Sequence, residues 1–406
     1  MTEKEICSQI KERLENVHIC TFPKVTLPIL KVSTRYPGIW IEHMYDAIMY
    51  TKLDSSKLYL AENIVKVFID YQTEEGQLPY RITDMSSIPC PENECIGYYQ
   101  IQEVVSFGRI CWEIYNLNKS KEFLSTVYPA IKKWVGWLKK YRMTTNRGLI
   151  EMFYGYDTGH DKSARLNGFS CPGHYRKDGV LQNASVLPPE DNVTPVLAVD
   201  MNCNFYGNLI NLSKIAKELG EENEAVFWAN EAKKVKETFF SVCFNKEDCF
   251  FYDVDKNGNQ RKYKSCTIFH LFLEGVLDPD EDADLIKELY EKHISNPDEF
   301  GTPYPYPSMA YNDPSTKGHA EVNCWGYFSQ GLIALRTTLW LEKYGFAKDM
   351  DYLCSKWVEA WTKHFDTIKL GQELDPITGV PSPSSEWYSS TMLFYLYSAK
   401  RLGIID

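Results

Sequence analysis

Apolar residues recur every three or four positions along most of the chain, which is the pattern of helices that bury one face. In the segment 346–367, for example, Met350, Leu353, Trp357 and Trp361 follow this step. The pattern predicts twelve helices, at 2–17, 39–51, 55–72, 98–117, 121–141, 193–219, 221–241, 263–275, 281–292, 320–344, 346–367 and 385–402. Only the run CFFYDVD and a few residues near Leu149 have the pattern of strands.

Short and long connections alternate between these helices. Turn residues in LDSSK, LNKSK, ELGEEN and EKYGF join helices into pairs. The longer connections lie at about 73–97, 142–192, 242–262, 293–319 and 368–384. This alternation favours an all-α ring of helical hairpins whose long loops gather at one end, where binding sites are commonly built. No linker divides the chain, so we expect one domain over 1–406. A helical-repeat scaffold is the competing interpretation, and no sequence period supports it.

The charge and the first residues narrow the possible partners. A net charge of -11 argues against nucleic acid and membrane surfaces. The opening MTEKEICSQIKERLENV is charged and amphipathic rather than signal-like, so we expect a cytoplasmic protein. The 27 tyrosines and 10 tryptophans suit either sugar-like ligands or a densely packed aromatic core. The oligomeric state is not readable from the sequence.

The sequence contains no strong metal or cofactor motif. Its twelve cysteines are spaced irregularly, and we interpret them as reduced thiols. Cys90 with Cys95, and Cys243 with Cys249, are potential metal pairs, but neither pair has further ligands at zinc-site spacing. Phosphate loops, dinucleotide fingerprints and haem motifs do not occur, so we expect neither metal nor cofactor. Three histidines within or beside the motifs below are interpreted as hydrogen-bonding side chains: His43, His160 and His319.

Three acids with aromatic or turn-forming neighbours stand in the predicted loops or at a helix start. Asp157 follows two tyrosines, Glu373 precedes an Asp-Pro turn, and Glu386 precedes Trp387. Aromatic neighbours raise the pKa of a carboxyl by desolvation, as a general acid near neutral pH requires. Each acid also has a structural interpretation, as a turn cap, a partner of a helix dipole or a solvated surface group.

Eight segments carry a resemblance that spans about 36–402. In chain order they are GIWIEHMYDAIMY, GQLPYRI, YQIQEVVSFG, GYDTGHD, VDMNCNFYGNL, EVNCWGYFSQGLIALRT, ELDPITG and SEWYSSTM. Their order resembles that of the (α/α)6-barrel glycoside hydrolases of family 63 and, more distantly, of the trehalases. The resemblance implies an (α/α)6 barrel that hydrolyses an α-linked sugar with inversion.

The resemblance also implies roles for single residues. GYDTGHD is similar to the family's segment that holds the general acid, which points to Asp157. ELDPITG is similar to the Glu-x-Tyr-Asp-Pro-x-Thr-Gly stretch that carries the general base, which points to Glu373. Glu386 is either a further hydroxyl acceptor or the base itself. An inverting pair of carboxyl groups stands about 6.5–9.5 Å apart, which leaves room for a water.

The remaining matches imply a sugar pocket. Trp40 and Trp325 would form flat walls, while Asp46 and Glu42 would accept hydrogen bonds from sugar hydroxyls. The implied pocket also includes Tyr45, Arg81, Gln102, Tyr156 and Trp387.

The chain departs from the family pattern in two ways. Tyr45 stands where the family usually has Trp. The Arg that the family places shortly after the general acid is not in place after Asp157, although Lys162 and Arg165 are near. These two and Arg81 are candidates for holding an anionic aglycone. The Pro-rich loop 301–314 is either a cover for the mouth or a rigid packed loop, and its tyrosines are Tyr304, Tyr306 and Tyr311.

We therefore expect a hydrolase acting on a small carbohydrate, an α-glucoside, an α-mannoside or a sugar linked to glycerate. The alternatives are a non-catalytic carbohydrate-binding barrel, and another (α/α)6 enzyme such as a sugar epimerase or an unsaturated-uronide hydrolase. An epimerase would need paired histidines at the barrel mouth, and the eight histidines of the chain do not cluster in that way.

Overall fold

The structure is a computed structural model that describes residues 1–83, 95–102, 104–189, 191–316, 325–383 and 385–406. The described residues contain twelve α-helices. They are α1 (Glu3–Arg13), α2 (Met44–Leu53), α3 (Leu58–Asp70), α4 (Phe107–Asn118), α5 (Lys121–Tyr141), α6 (Val199–Glu218), α7 (Glu222–Cys243), α8 (Phe269–Leu273), α9 (Ala283–Leu289), α10 (Gly331–Thr337), α11 (Ala347–His364) and α12 (Ser389–Arg401). None of these helices is both long enough and apolar enough to span a bilayer.

The helices form two layers. The even-numbered helices make an inner ring, in which α4 packs between α2 and α6, α6 contacts α8, and α12 packs between α10 and α2. The odd-numbered helices cover the ring from outside: α3 lies against α2 and α4, α5 against α4 and α6, α7 against α6, and α11 against α12. The first helix packs on α11 and α12 and so covers the place where the ring closes. The prediction of an all-α ring of hairpins is confirmed.

Local sequence explains where the helices begin and which face they bury. Helix α5 starts where the Ser120 hydroxyl accepts a hydrogen bond from the backbone of Phe123. Its Leu124, Ile131 and Trp134 are buried, as the spacing of three or four residues predicts. The tryptophans of the chain largely follow this pattern, because Trp134, Trp137, Trp340, Trp357 and Trp361 are among the largest fully buried side chains. Much of the aromatic surplus therefore belongs to the core.

Several predicted helices are too long. The helix predicted at 98–117 begins only at Phe107, because Gln102 has a φ of 43°, which a helix does not allow. Of the helix predicted at 320–344, the structure shows α10, and the first five residues lie outside the described residues. The helices predicted to start at 263 and 385 begin only at Phe269 (α8) and Ser389 (α12), and the residues before them are extended or form short turns.

The long connections contain more strands than the sequence predicts. The predicted strand in CFFYDVD is confirmed as two short strands. Most of the others were missed because runs of two or three residues cannot show an alternating pattern, whereas β1 and β2, with four and six residues, were long enough to be recognised. The strands are β1 (Ile19–Phe22), β2 (Val25–Leu30), β3 (Gly38–Trp40), β4 (Arg81–Thr83), β5 (Ile96–Gly97), β6 (Arg176–Lys177), β7 (Val180–Leu181), β8 (Phe244–Asn245), β9 (Phe250–Phe251), β10 (Asp253–Val254), β11 (Gln260–Arg261), β12 (Ser329–Gln330) and β13 (Glu373–Leu374). All pairings are antiparallel, with β3, β4 and β5 forming one sheet and the other strands forming two-stranded sheets between consecutive members.

The cysteines of the described residues are free thiols. Cys243 and Cys249 are buried, and Cys95 is half-buried, while Cys90 and His319 lie outside the described residues. Within the described ranges, no three His, Cys, Asp or Glu side chains are grouped so as to hold a metal ion.

Candidate active site

A cavity opens where segments from five parts of the chain meet. Its lining residues are Val32, Tyr36, Trp40, Glu42, His43, Gln102, Gly159, Asp161, Trp325, Gln372 and Tyr388. Four of the predicted site residues, Trp40, Glu42, Gln102 and Trp325, are therefore brought together. Among the described residues, the carboxyl groups of Glu42 and Asp161 line the cavity.

The Glu42 carboxyl is delivered by the junction between a strand and a helix. Trp40 ends β3, and a single 3-10 turn, Ile41–His43, leads from it into α2. Burial, with a smaller contribution from the nearby charge of Asp161, raises the pKa of Glu42 to about 8 against the opposing charge of Arg336. At neutral pH this carboxyl therefore holds its proton in most molecules.

The Asp161 carboxyl is delivered by a tight loop after α5. Gly159 has a φ of 72°, and a side-chain carbon built at this position would overlap Glu42 Oε2. Only glycine lets the loop approach Glu42 this closely. Burial in the cavity wall raises the pKa of Asp161 to about 7, and Lys162 opposes that shift. Two carboxyl groups with raised pKa values thus lie on one wall of the cavity.

A buried network of ion pairs around Arg165 anchors this loop to the barrel. Arg165 Nη1 donates to Asp200 Oδ2 at 2.7 Å, and Arg165 Nε donates to Asp253 Oδ2 at 2.9 Å. Asp200 begins the first turn of α6 and Asp253 lies in β10, so the network ties the loop to two elements of the barrel. The His160 ring stacks on Trp325, with ring centroids 4.4 Å apart. The backbone on both sides of Asp161 is therefore anchored.

Polar groups complete the cavity. Gln102 Oε1 is buried and has no hydrogen-bond partner among the described residues. His43 Nε2 lies 2.5 Å from the Tyr388 hydroxyl, and burial lowers the pKa of His43 to about 3, so its ring is neutral. A buried carbonyl oxygen without a partner is costly, which makes Gln102 a natural acceptor for a ligand hydroxyl.

Asp157, the acid that the sequence points to, does not line the cavity. Arg142 Nη1 lies 2.5 Å from Asp157 Oδ2, and both side chains are completely buried. The backbone N–H groups of Ile101, Phe153 and Tyr154 also donate to the same carboxylate. The ion pair and these three backbone hydrogen bonds engage both oxygens of the Asp157 carboxylate outside the cavity, which is the arrangement of a structural group.

Glu373, the predicted base, is fully buried in β13. Its neighbour Gln372 lines the cavity, and successive side chains of an extended segment point to opposite sides. In the stretch Glu-x-Tyr-Asp-Pro, the glutamate stands three residues before the aspartate, and here that position is Gln372. Burial is the main cause of the raised pKa of the cavity residue Tyr36, and the charges of Asp161, Glu42 and Glu373 contribute to it in that order.

Glu386 and Trp387 lie away from the cavity. Glu386 is exposed, and its Oε1 accepts a hydrogen bond from the Lys369 backbone at 3.2 Å. Trp387 packs edge-on against Phe365 and lies under the Arg13 guanidinium, 5.3 Å from the ring centroid. The two residues instead fix the turn that leads into α12.

Asp46 and Tyr45 point into the barrel rather than into the cavity. Asp46 is buried and accepts hydrogen bonds from the hydroxyls of Ser389 and Ser390, so it joins α2 to α12. The Tyr45 hydroxyl is buried, and it interacts electrostatically with Glu274 and Arg109. The resemblance of GIWIEHMYDAIMY to the family signature placed them in the pocket, but the helical turn of α2 directs them elsewhere.

Arg81 and Tyr156 lie beside the cavity. Arg81 is the register partner of Trp40 in the sheet of β3 and β4, and its guanidinium lies over the rings of Tyr80 and Tyr99. Tyr156 is half-buried, and burial raises its pKa, with a smaller contribution from the charge of Asp161.

The tyrosines of the loop 301–314 favour the packed interpretation. Tyr304 and Tyr306 belong to the hydrophobic core, and Tyr304 donates to Glu359 Oε1 at 3.0 Å. Tyr311 is 39% exposed, and none of the three lines the cavity.

Comparison with known proteins agrees with this architecture. The model of the family described as "Mannosylglycerate hydrolase MGH1-like glycoside hydrolase domain" matches residues 47–318. The chain belongs to this family. The mannosylglycerate hydrolase of Thermus thermophilus, in complex with Tris and D-glycerate, is 15% identical, with a TM-score of 0.69 over 98% of this chain and 99% of that chain. This likeness confirms the (α/α)6 barrel.

Two curated relatives match over part of their length. A cytosolic neutral trehalase of Beauveria bassiana is 21% identical over 338 residues, which are 76% of this chain and 42% of the trehalase. An uncharacterized protein of Borreliella burgdorferi is 23% identical over 259 residues, 63% of this chain and 46% of that protein. The chain thus spans less than half the length of either relative.

Sequence reasoning for this MGH1-like domain missed several cavity residues. Asp161 was overlooked because Asp157, four positions earlier, has the aromatic neighbours that suggested an acid. One signal was available: Arg165 stands shortly after Asp161, as the family pattern requires of its general acid. Gln372 also had a signal, because it stands at the glutamate position of the Glu-x-Tyr-Asp-Pro stretch. The others, which carry no such signal, are Val32, Tyr36, Gly159 and Tyr388.

Proposed function

We propose that this MGH1-like domain hydrolyses a small α-linked glycoside with inversion, and that Asp161 is the proton donor. The observation that carries the proposal is the placement of Asp161 in the cavity wall beside Glu42, with a pKa raised to about 7. A carboxyl group that titrates near neutral pH is suited to protonating a departing sugar oxygen. Asp157, fixed by Arg142, then supports the loop.

We assign the base role to Glu373, whose carboxyl would have to reach the attacking water from behind Gln372, the residue of this segment that lines the cavity. Glu42 packs against Gly159, two residues before Asp161, so it lies on the same wall as the proton donor. An inverting base must act from the opposite face of the sugar ring. The segment of Gln372 and Glu373 comes from a different part of the ring. The charge of Glu373 contributes to the raised pKa of Tyr36, which lines the cavity. In this scheme Glu373 accepts a proton from the attacking water, while Glu42 accepts a hydrogen bond from a sugar hydroxyl.

The substrate class follows from the lining and from the relatives. Trp40 and Trp325 offer flat apolar surfaces to the C–H groups of a sugar, and Gln102 offers a free acceptor. The similar Thermus thermophilus protein is a mannosylglycerate hydrolase, and the Beauveria bassiana relative is a trehalase. We therefore propose an α-mannoside or α-glucoside joined to a small partner such as glycerate or a second sugar.

The test separates the two catalytic roles. Four proteins are compared: the wild type, Asp161→Asn, Glu373→Gln and Glu42→Gln. Each is incubated with mannosylglycerate, glucosylglycerate, trehalose and the matching α-glycosyl fluorides. The anomeric proton of the released sugar is followed by NMR, and an initial β-sugar product establishes inversion. Fluoride leaves with little protonation, so Asp161→Asn should retain turnover on the fluoride and lose it on the natural linkage. Glu373→Gln should lose both.

Other outcomes redirect the assignment. If Glu42→Gln loses both activities while Glu373→Gln keeps them, Glu42 is the base. If wild type cleaves none of the panel yet binds the sugars, the protein is a carbohydrate-binding barrel and the proposal fails.

A further inference from the structure

A second, smaller cavity is lined by residues of the inner helices α8 and α10 and by residues of the connections beside them. Its polar lining residues are His160, Cys266, His270 and Arg336, and its remaining walls are apolar. Its volume is about 20 Å³, which is room for one ligand of the size of a water. His160 stands directly before Asp161, so this cavity adjoins the loop that carries the proposed proton donor.

Arg336 is a buried cation without an ion pair in the described part of the chain. Its side chain projects from α10 and is 5% exposed. Its Nη2 donates to the backbone oxygen of Glu42 at 2.7 Å, but its Nε is buried and has no hydrogen-bond partner among the described residues. A buried charge is costly unless an opposite charge compensates it.

The carboxyl groups around Arg336 do not supply that charge at neutral pH. Asp200 is ionised, but it is already paired with Arg165, whose Nη1 donates to Asp200 Oδ2 at 2.7 Å. Burial raises the pKa of Glu42 to about 8 and the pKa values of Asp46 and Glu274 to about 7, even though Arg336 opposes each shift. These three groups are therefore protonated in a large fraction of molecules.

The other polar groups of the cavity are neutral or weak donors. His160 Nδ1 faces Arg165 Nη1 at 3.2 Å, and because an arginine only donates, the ring proton of neutral His160 lies on Nε2. Burial lowers the pKa of His160 and of His270, so neither adds positive charge. Burial raises the pKa of Cys266 to about 12, so it remains a thiol with a weak S–H donor.

We propose that this cavity is a halide site, in which one chloride lies against Arg336 with His160 Nε2–H and the Cys266 thiol as further donors. The buried positive charge of Arg336 is compensated by an anion. The cavity volume of about 20 Å³ accommodates a monatomic anion but not sulfate or phosphate. Because the chloride contacts His160, its binding stabilises the loop that carries Asp161.

Bromide gives the direct test, because it scatters X-rays anomalously and has nearly the size of chloride. Crystals of the wild-type protein are soaked in sodium bromide, and we expect an anomalous peak in the cavity between Arg336 and His160. A water there, with no anomalous signal at bromide concentrations that saturate surface sites, would overturn the proposal.

Thermal unfolding in solution gives an independent test that needs no activity. In halide-free gluconate buffer at constant ionic strength, replacing gluconate by chloride should raise the unfolding midpoint by roughly 1–2 °C for each tenfold increase above half-saturation. Arg336→Gln should abolish this dependence. Arg109→Gln is the matched control: it removes an inner-helix arginine that pairs with Glu113 at 3.5 Å, and it should leave the chloride dependence intact.

The wild-type measurements decide the question even if Arg336→Gln does not fold. An unfolding midpoint that does not respond to chloride in the wild type contradicts the site. A response that persists in Arg336→Gln would show that the chloride acts elsewhere.

Discussion

Asp157 and Arg142 form an ion pair inside the protein, with Asp157 Oδ2 2.5 Å from Arg142 Nη1 and no exposure of either side chain. This pair gives a structural role to the acid that the sequence singled out, and in our proposal the chemistry belongs to Asp161, four residues later. The two aspartates therefore predict opposite phenotypes.

Asp161→Asn should remove activity without removing the fold. The amide fills the same space but cannot donate a proton to the leaving group, so kcat on a natural glycoside should fall by about 10²–10⁴. The variant should unfold in urea at a midpoint no lower than that of the wild type at pH 7. A variant that keeps full turnover on the natural linkage would remove Asp161 from the mechanism.

Asp157→Asn should destabilise the protein instead. It leaves the Arg142 guanidinium buried without its counter-charge, and breaking one side of a buried pair costs about 3–5 kcal/mol. The free energy of unfolding in urea measures this loss. An unchanged stability would show that the pair contributes nothing net to the fold.

Glu42→Gln should change the pH dependence of stability. The pKa of Glu42 is about 8 in the folded protein and about 4.3 in an unfolded chain. The folded state therefore binds this proton more tightly, and ionisation of Glu42 costs stability as the pH rises from about 4 to about 8. Glutamine does not titrate, so the urea midpoint of Glu42→Gln should rise relative to that of the wild type between pH 5 and pH 9.

The control for this measurement is Glu386→Gln, which removes an exposed carboxyl. Its midpoint should differ from that of the wild type by a similar, small amount at both pH values. If Glu42→Gln behaves in the same way, burial does not hold the proton on Glu42.

Lys162→Met should move the alkaline limb of the pH–rate profile. If Asp161 must be protonated, kcat/KM falls as the pH rises through its pKa of about 7. Lys162 lowers that pKa, so removing its charge should shift the alkaline limb to higher pH. Lys177→Met, an exposed lysine in β6, is the control and should leave the limb in place. An identical profile in both variants would argue that the limb reports another group.

Gly159→Ala should impair the site through its contact with Glu42. The added methyl group would overlap Glu42 Oε2, and the φ of 72° disfavours any side chain. We expect kcat/KM to fall roughly tenfold to a hundredfold, because small displacements of reacting groups are costly. Gly179→Ala is a matched control: it has a φ of 80°, but its added carbon would meet open space. It should lose a similar amount of stability and keep its activity.

The sequence predicted the helical barrel because its signal is repeated along the chain. Each pair of helices shows the same apolar spacing, so the error at any one helix end, such as that of α4, does not disturb the architecture. The site depends on single side chains, and their environment comes from distant parts of the chain. The difference between Asp157 and Asp161 is decided by Arg142 in one case and by the Gly159 turn in the other.

The roles at 372 and 373 were unreadable for a related reason. The segment 368–384 was predicted to be a loop, in which the direction of a side chain has no simple rule. Its pairing as β13 with β12 sets Gln330 opposite Glu373 and makes neighbouring side chains alternate. The pattern Glu-x-Tyr-Asp-Pro matches its glutamate to Gln372, but the base role was assigned to Glu373 because it is the nearest acid.

The closure of the ring has a consequence for how the protein is made. Three contacts join residues separated by about 350 positions: Ser33 Oγ to Ser385 Oγ at 2.9 Å, His43 Nε2 to the Tyr388 hydroxyl at 2.5 Å, and Asp46 Oδ1 to the Ser390 hydroxyl at 2.9 Å. A growing polypeptide emerges from the ribosome with the first members of these pairs long before their partners exist. The cavity that Tyr388 lines is therefore completed only after translation reaches α12, and a nascent chain that stops short of this helix carries every proposed catalytic carboxyl without a formed site.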